Sequence, residues 1–201
     1  MNQRQIAASK KRQKLIDTAL MLLKEKGFDA INVEEITQKA GVAKGTFYNH
    51  FKRKEDIIVE ISKAPFLLIF EKIESMQGEP FLKILNFYIH NFMDAVEYYS
   101  IHTCREWLKD VLNPNVSING KNSKKWFSDL NDLSSLFVKA INDNKLSKDI
   151  PYEKISTLII VQLYGMTTSF CMSDNSFSPK EWIDDMFNLQ VKPLIEPYLI
   201  K

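Results

Sequence analysis

The stretch from Asn32 to Lys54, NVEEITQKAGVAKGTFYNHFKRK, restricts the fold more than any other part of the chain. Ile36 and Ala40 recur four residues apart behind Asn32, whose side-chain oxygen can cap a helix start. The spacing predicts a short helix from about Val33 to Ala40. Gly41 ends it, because glycine takes the positive φ of a tight turn without steric cost, and Val42 can bury itself between two helices. A second helix is expected from about Lys44 to Phe51. Phe47 and Phe51 share its inner face, while Lys44, Gly45, Tyr48 and Asn49 fall on another, open side. Helix, glycine turn and helix with a polar outer face make a helix-turn-helix.

The chemistry of that open side suits the major groove of DNA. Lys44 can donate to guanine or phosphate, Gly45 lets a backbone approach closely, and Thr46 can donate, accept or touch a thymine methyl. Asn49 can pair with adenine or a phosphate. Tyr48 and His50 offer donors to phosphate oxygens, and Asn32, at the mouth of the motif, is counted with these DNA-binding residues. Lys54 stands at the expected start of the next helix, where its charge and free N–H groups both attract an anion. A glycine-broken pair of short amphipathic helices also occurs in all-α proteins that bind no nucleic acid.

The run GVAKGTFYNHFKRKEDI resembles the DNA-binding signature of the tetracycline-repressor (TetR) family. The similarity covers about Lys11 to Ile58 and rests on the order of Gly41, Gly45, Thr46, Tyr48, Phe51 and Lys54. It implies that Lys44, Gly45 and Thr46 meet bases and that Tyr48, His50 and Lys54 hold phosphates. The chain departs from the family pattern at three places: Ala43 stands where serine is frequent, Thr37 where alanine is, and Glu34 where a base is often found.

Charge is distributed to match. The net charge is only +2, yet residues 1–55 carry 12 Lys/Arg against 6 Asp/Glu while residues 56–201 carry 15 against 19. A basic N-terminal module on a mildly acidic body suits one end docking on a polyanion. The expected division is a helix-turn-helix domain over residues 1–55 and a helical ligand-binding and dimerisation domain over 56–201. Cys104 and Cys171 make no disulfide framework, and nothing at the N-terminus reads as a signal peptide, so a cytoplasmic location is expected. The apolar run Ile155 to Met172 is interrupted by Ser156, Gln162, Thr167, Thr168 and Ser169 and reads as a buried helix, not a membrane span.

Helical spacing dominates the rest of the chain. Residues Met1 to Ala8 are expected to be mobile. A helix follows whose basic start, Lys10 to Lys14, precedes the stripe Leu15, Ile16, Ala19, Leu20, Leu22 and Leu23; Gly27 ends it and Phe28 closes it. The basic start can be a solvated helix end or a phosphate-binding arm. The helix after Lys54 is expected to run through Ile57, Ile58 and Ile61 to Pro65, which kinks it or begins another. Further helices are expected over Phe81 to Tyr99, Ile101 to Leu112, Trp126 to Ala140 and Tyr152 to Met172, with Asn113 to Asn122 as a surface loop. The last begins at Ser178, with Pro179 at its first position. The resemblance implies that the final two long helices pair with their twins in a homodimer, to which Leu158, Trp182 and Phe187 are assigned.

Catalytic and metal chemistry have no support. Cys104 and His102 diverge on their helix, and His50, His90 and His102 lack metal-ligand spacing with the cysteines. No catalytic residue, metal ligand or cofactor is expected. Phe87, Tyr88, His90, Phe92, Met93, Trp107, Tyr164 and Phe170 mix apolar walls with polar handles, the usual lining of a small-molecule pocket. The expectation is an all-α, ligand-responsive, homodimeric regulator, most simply a repressor on a palindromic double-stranded operator, away from any membrane. A helical carrier or enzyme with a vestigial DNA-binding head is the alternative.

Overall fold

The computed structural model describes residues 3–27, 30–98, 100–112, 124–174 and 176–200. It is all-α. The helices are α1 (Gln3–Lys26), α2 (Val33–Lys39), α3 (Lys44–His50), α4 (Glu55–Glu74), α5 (Phe81–Tyr98), α6 (Ser100–Leu112), α7 (Lys124–Asn142), α8 (Tyr152–Met172), α9 (Pro179–Met186) and α10 (Lys192–Ile195). The one β feature among the described residues is an isolated bridge between Leu146 and Leu199.

The chain forms two compact units, Met1–Pro65 with Tyr99–Asn113, and Phe66–Tyr98 with Pro114–Lys201. The first unit therefore extends past residue 55. The reason is packing: Ile57 and Ile61 of α4 are buried in one cluster with Leu15 and Leu22 of α1, Ile36 of α2 and Phe47 of α3, and Trp107 of α6 packs against it. α1 begins at Gln3, ahead of the expected start near Lys10, since Gln5, Ala7 and Ala8 favour a helix. Gly27, at φ +76°, ends α1, its N–H bonded to the Leu23 carbonyl at 3.0 Å. Phe28 lies outside the described residues, as does the expected loop Asn113 to Asn122; of the stretch Met1 to Ala8, expected to be mobile, Met1 and Asn2 lie outside too, while Gln3 to Ala8 are helical.

In the second unit α8 packs on α7 and α5, and α9 on α5. Their shared core includes Phe81, Tyr88, Phe92, Phe137, Ile159 and Leu163, with the Phe81 and Phe137 rings edge to face at 4.9 Å. By length and composition α8 could cross a membrane, yet eight of its residues, Ile155 to Cys171, are buried inside the subunit. Glu97 of α5 caps the start of α9, accepting from the Ser178 hydroxyl at 2.9 Å and the Lys180 N–H at 3.1 Å. After α9 the chain widens into a π-helical turn, Phe187–Val191, closed by the Lys192 N–H on the Phe187 carbonyl. Pro193, which lacks an N–H, follows immediately and removes the α-helical alternative there. The expected single helix after Ser178 is thus a composite.

Candidate nucleic-acid interface

Each member of the helix-turn-helix is fixed by its own sequence. Asn32 caps α2, its side-chain oxygen accepting from the Glu35 N–H at 2.8 Å. The Thr37 hydroxyl is buried and donates to the Val33 and Glu34 carbonyls, both at 2.9 Å, so its polar atom is satisfied within α2. Gly41 takes φ +62°, and the Val42 N–H returns to the Thr37 carbonyl at 3.0 Å, closing the turn. The residue ahead of α3 is Ala43, whose methyl offers no side-chain cap. What holds α3 in place is its inner edge. Phe47 is fully buried, and its ring meets Phe51 at 5.3 Å and Tyr48 edge-on at 5.5 Å.

With Phe47 anchored, Lys44, Gly45, Tyr48 and Asn49 are exposed and Thr46 and His50 half-buried. Five residues of one short helix thus share an accessible polar face with His50 at its margin. Nothing lies within 4 Å of the position a Gly45 Cβ would take, so the free surface beside it is open to an approaching backbone. Lys44 is held by an ion pair with Glu34 across the turn. That hydrogen bond keeps the Glu34 carboxyl below its usual range and the Lys44 ammonium above its own. His50 lies below the ordinary histidine value, first because it is partly desolvated and then because Arg12 and Lys11 are close. Arg12 turns inward, 2.6 Å from Glu60 and 5.2 Å from the centre of the Phe51 ring.

Lys54, expected to meet an anion, has a partner within the protein. Its ammonium donates to the Ile31 carbonyl at 2.9 Å, tying the start of α4 to the start of α2. The Lys52 and Arg53 N–H groups ahead of α4 are taken by the Asp56 carboxylate at 2.8 and 3.0 Å. An acid in a first helical turn is the sequence signal for such a cap, and Asp56 carried it.

The expected ligand and interface residues do not form one group. Tyr88, Phe92 and Met93 are buried in the body's core, with Phe87 and Tyr164 packed against it. Phe170 is buried too. Trp107 packs against the core of the other compact unit. His90 accepts or donates at both ring nitrogens, to the Asn86 carbonyl at 2.9 Å and the Asp184 carboxylate at 3.0 Å. The Tyr164 hydroxyl donates to the buried Asp129 carboxylate at 2.9 Å. Burial, then that carboxylate, pushes the Tyr164 phenol far up. Sequence reading missed Asp129, because one acid in the amphipathic pattern of α7 carries no mark of burial. A cleft lined by Ile73, Phe81, Ile84, Leu136, Lys139 and Lys145 includes none of the eight expected residues. Of the three interface residues, Leu158 and Trp182 are exposed, while Phe187 is 5% exposed and packs in its own core. The wide turn of residues 187–191 sends Phe187 and Val191 inward and leaves Leu189 outward.

A buried anchor, a positive-φ glycine turn and an exposed polar helix define a helix-turn-helix protein of all-helical build. Residues 15–61 match the family of bacterial regulatory proteins described as tetR. The likeness to that family covers the helix-turn-helix and the helices on either side of it. It is 40% identical over 57 residues to the Transposon Tn10 TetC protein of Escherichia coli, 28% of this chain and 29% of that protein. It is 38% identical over 64 residues to the fatty acid metabolism regulator protein of Bacillus subtilis, 32% of this chain and 33% of that one. The matches therefore span about a third of these relatives' length. The fold likeness reaches further. The structure of FadR from Bacillus subtilis in complex with stearoyl-CoA aligns over 89% of this chain and 97% of its own, with TM-score 0.66 and 21% identity. Thermus thermophilus FadR in complex with lauroyl-CoA aligns over 94% and 96%, with TM-score 0.69 and 17% identity.

Proposed function

We propose that the chain is a DNA-binding transcriptional regulator of repressor type, which holds a palindromic operator as a homodimer and releases it when a small molecule enters the helical body. The observation that carries the reading is the outer face of α3, where Lys44, Gly45, Tyr48 and Asn49 are exposed together above the buried Phe47. Donors on such a face can meet base edges and phosphates in a major groove, and the surplus of basic residues in the first 55 draws the polyanion in. A cytoplasmic location accompanies that role. Long-chain acyl-CoA thioesters are the first effectors to test, since two proteins of similar fold hold them.

The test is fluorescence anisotropy on duplexes covering the DNA upstream of the chain's own gene, from low to moderate salt. Six or more phosphate contacts from two heads would weaken binding by roughly 10³-fold or more across that range. Release of the duplex by added acyl-CoA supports the effector class. Binding that does not respond to salt overturns the regulator and leaves the carrier or enzyme reading.

A further inference from the structure

We infer that Glu34 is a specificity-determining residue of the DNA interface: it masks Lys44 on non-cognate DNA and accepts from a cytosine amino group on the cognate site. The inference rests on the DNA-binding reading of α3. Glu34 sits in the first turn of α2 and Lys44 in the first turn of α3, so the glycine turn brings the two side chains together where the motif opens outward. Both are more than half exposed. A surface ion pair of this kind adds little to stability. Its consequence lies with the partner.

On DNA of arbitrary sequence the phosphates repel the Glu34 carboxylate, and Lys44 must leave a carboxylate before it can meet a phosphate. Both effects weaken binding that depends on charge alone. At a matched site the pair has complementary targets. Lysine donates to the O6 and N7 acceptors of guanine, and glutamate accepts from the N4 amino group of cytosine, the one major-groove donor a G·C pair offers. Side chains already in contact can address a G·C pair or two adjacent ones with opposite hydrogen-bonding signs. A guanine or thymine in its place leaves the carboxylate facing an acceptor, so discrimination against these bases comes from repulsion as well as attraction.

The experiment selects bound duplexes from a random pool with the full-length wild type, Glu34→Ala and Glu34→Gln, and then measures affinity for the wild-type site and for a scrambled duplex over a salt series. Wild type is expected to enrich a site with a fixed cytosine in each half. Both variants are expected to lose preference at that position by roughly ten- to a hundredfold. Glu34→Ala is also expected to bind the scrambled duplex more tightly, with a salt slope steeper by about 1.8, one freed phosphate contact from each of two heads. Melting temperature checks that the head stays folded, and the isosteric Glu34→Gln repeats the test without removing the side chain. A wild type that enriches an operator whose base profile is unchanged in both variants overturns this inference alone. A wild type that enriches nothing overturns the DNA-binding reading with it.

Discussion

His50 stands at the margin of α3 with two cations nearby, and its protonation is coupled to both folding and the proposed DNA contact. Partial burial, Arg12 and Lys11 hold it below the ordinary value of 6.5. The native state therefore binds fewer protons than the unfolded chain in a window just below that value. Stability rises with pH wherever the unfolded state binds more protons, so this contribution is complete above about 6.5. It is lost as pH falls through the lowered native value. A phosphate placed near His50 opposes Lys11 and Arg12 and favours the imidazolium, so duplex binding takes up protons. Operator affinity is expected to rise between pH 7.5 and 6, and His50→Gln to flatten the rise. Anisotropy titrations at three pH values read this directly. Tyr48 and Lys44 separate two other kinds of contact. Tyr48→Phe removes a donor to phosphate and is expected to weaken all sequences equally, whereas Lys44→Ala is expected to cost roughly 1–3 kcal/mol mainly on the cognate site.

At the scale of elements, the two glycines of the motif have opposite requirements. Gly41 occupies φ +62°, so Gly41→Ala is expected to cost about 1–2 kcal/mol by denaturant unfolding. Gly45 has ordinary helical φ and open space around it, so Gly45→Ala is expected to leave stability unchanged or raise it by up to about 1 kcal/mol. The same methyl would stand where a DNA backbone or base edge approaches, and affinity for the duplex is expected to fall. A variant both less stable and less able to bind would place Gly45 in the fold instead of the interface. These elements were legible from the sequence because their signals are local. Asn32 and Gly41 bound α2, Pro179 starts α9, and the apolar spacing of α8 places both its ends. The π-helical turn was not legible, since Phe187, Leu189 and Val191 read as helix and the wider ring depends on the following proline and on core packing. α4 runs continuously through Pro65, which sequence alone reads as a kink or a new start. Nor did spacing reveal that Lys54 reaches Ile31, a contact 23 residues back along the chain.

For the proposed homodimer to read a palindrome, two heads must be held at a fixed separation, because consecutive major-groove faces recur every ~34 Å. The body carries exposed apolar side chains that such a pairing would cover. On α8, Leu158 and Val161 are each 52% exposed and Met172 is 77% exposed, with exposed Gly165 between them. The 158, 161, 165 and 172 spacing follows one seam of a helix, and the missing side chain at 165 lets a second helix come close. Leu189, 74% exposed, adds to the apolar surface from the π-helical turn. Exposed apolar area of this kind marks an interaction site, and a second copy of α8 and α9 fits the proposed homodimer. Leu158→Asp places a charge on the seam without touching the core, so it is expected to give a folded monomer by light scattering, with weaker binding to the full palindrome. Phe187→Asp is the contrasting variant. Its charge enters the body's core, where an unpaired carboxylate is costly, and loss of the fold is expected. A Leu158→Asp protein that is monomeric yet holds the palindrome as tightly as wild type would show that DNA recognition does not depend on pairing of the bodies.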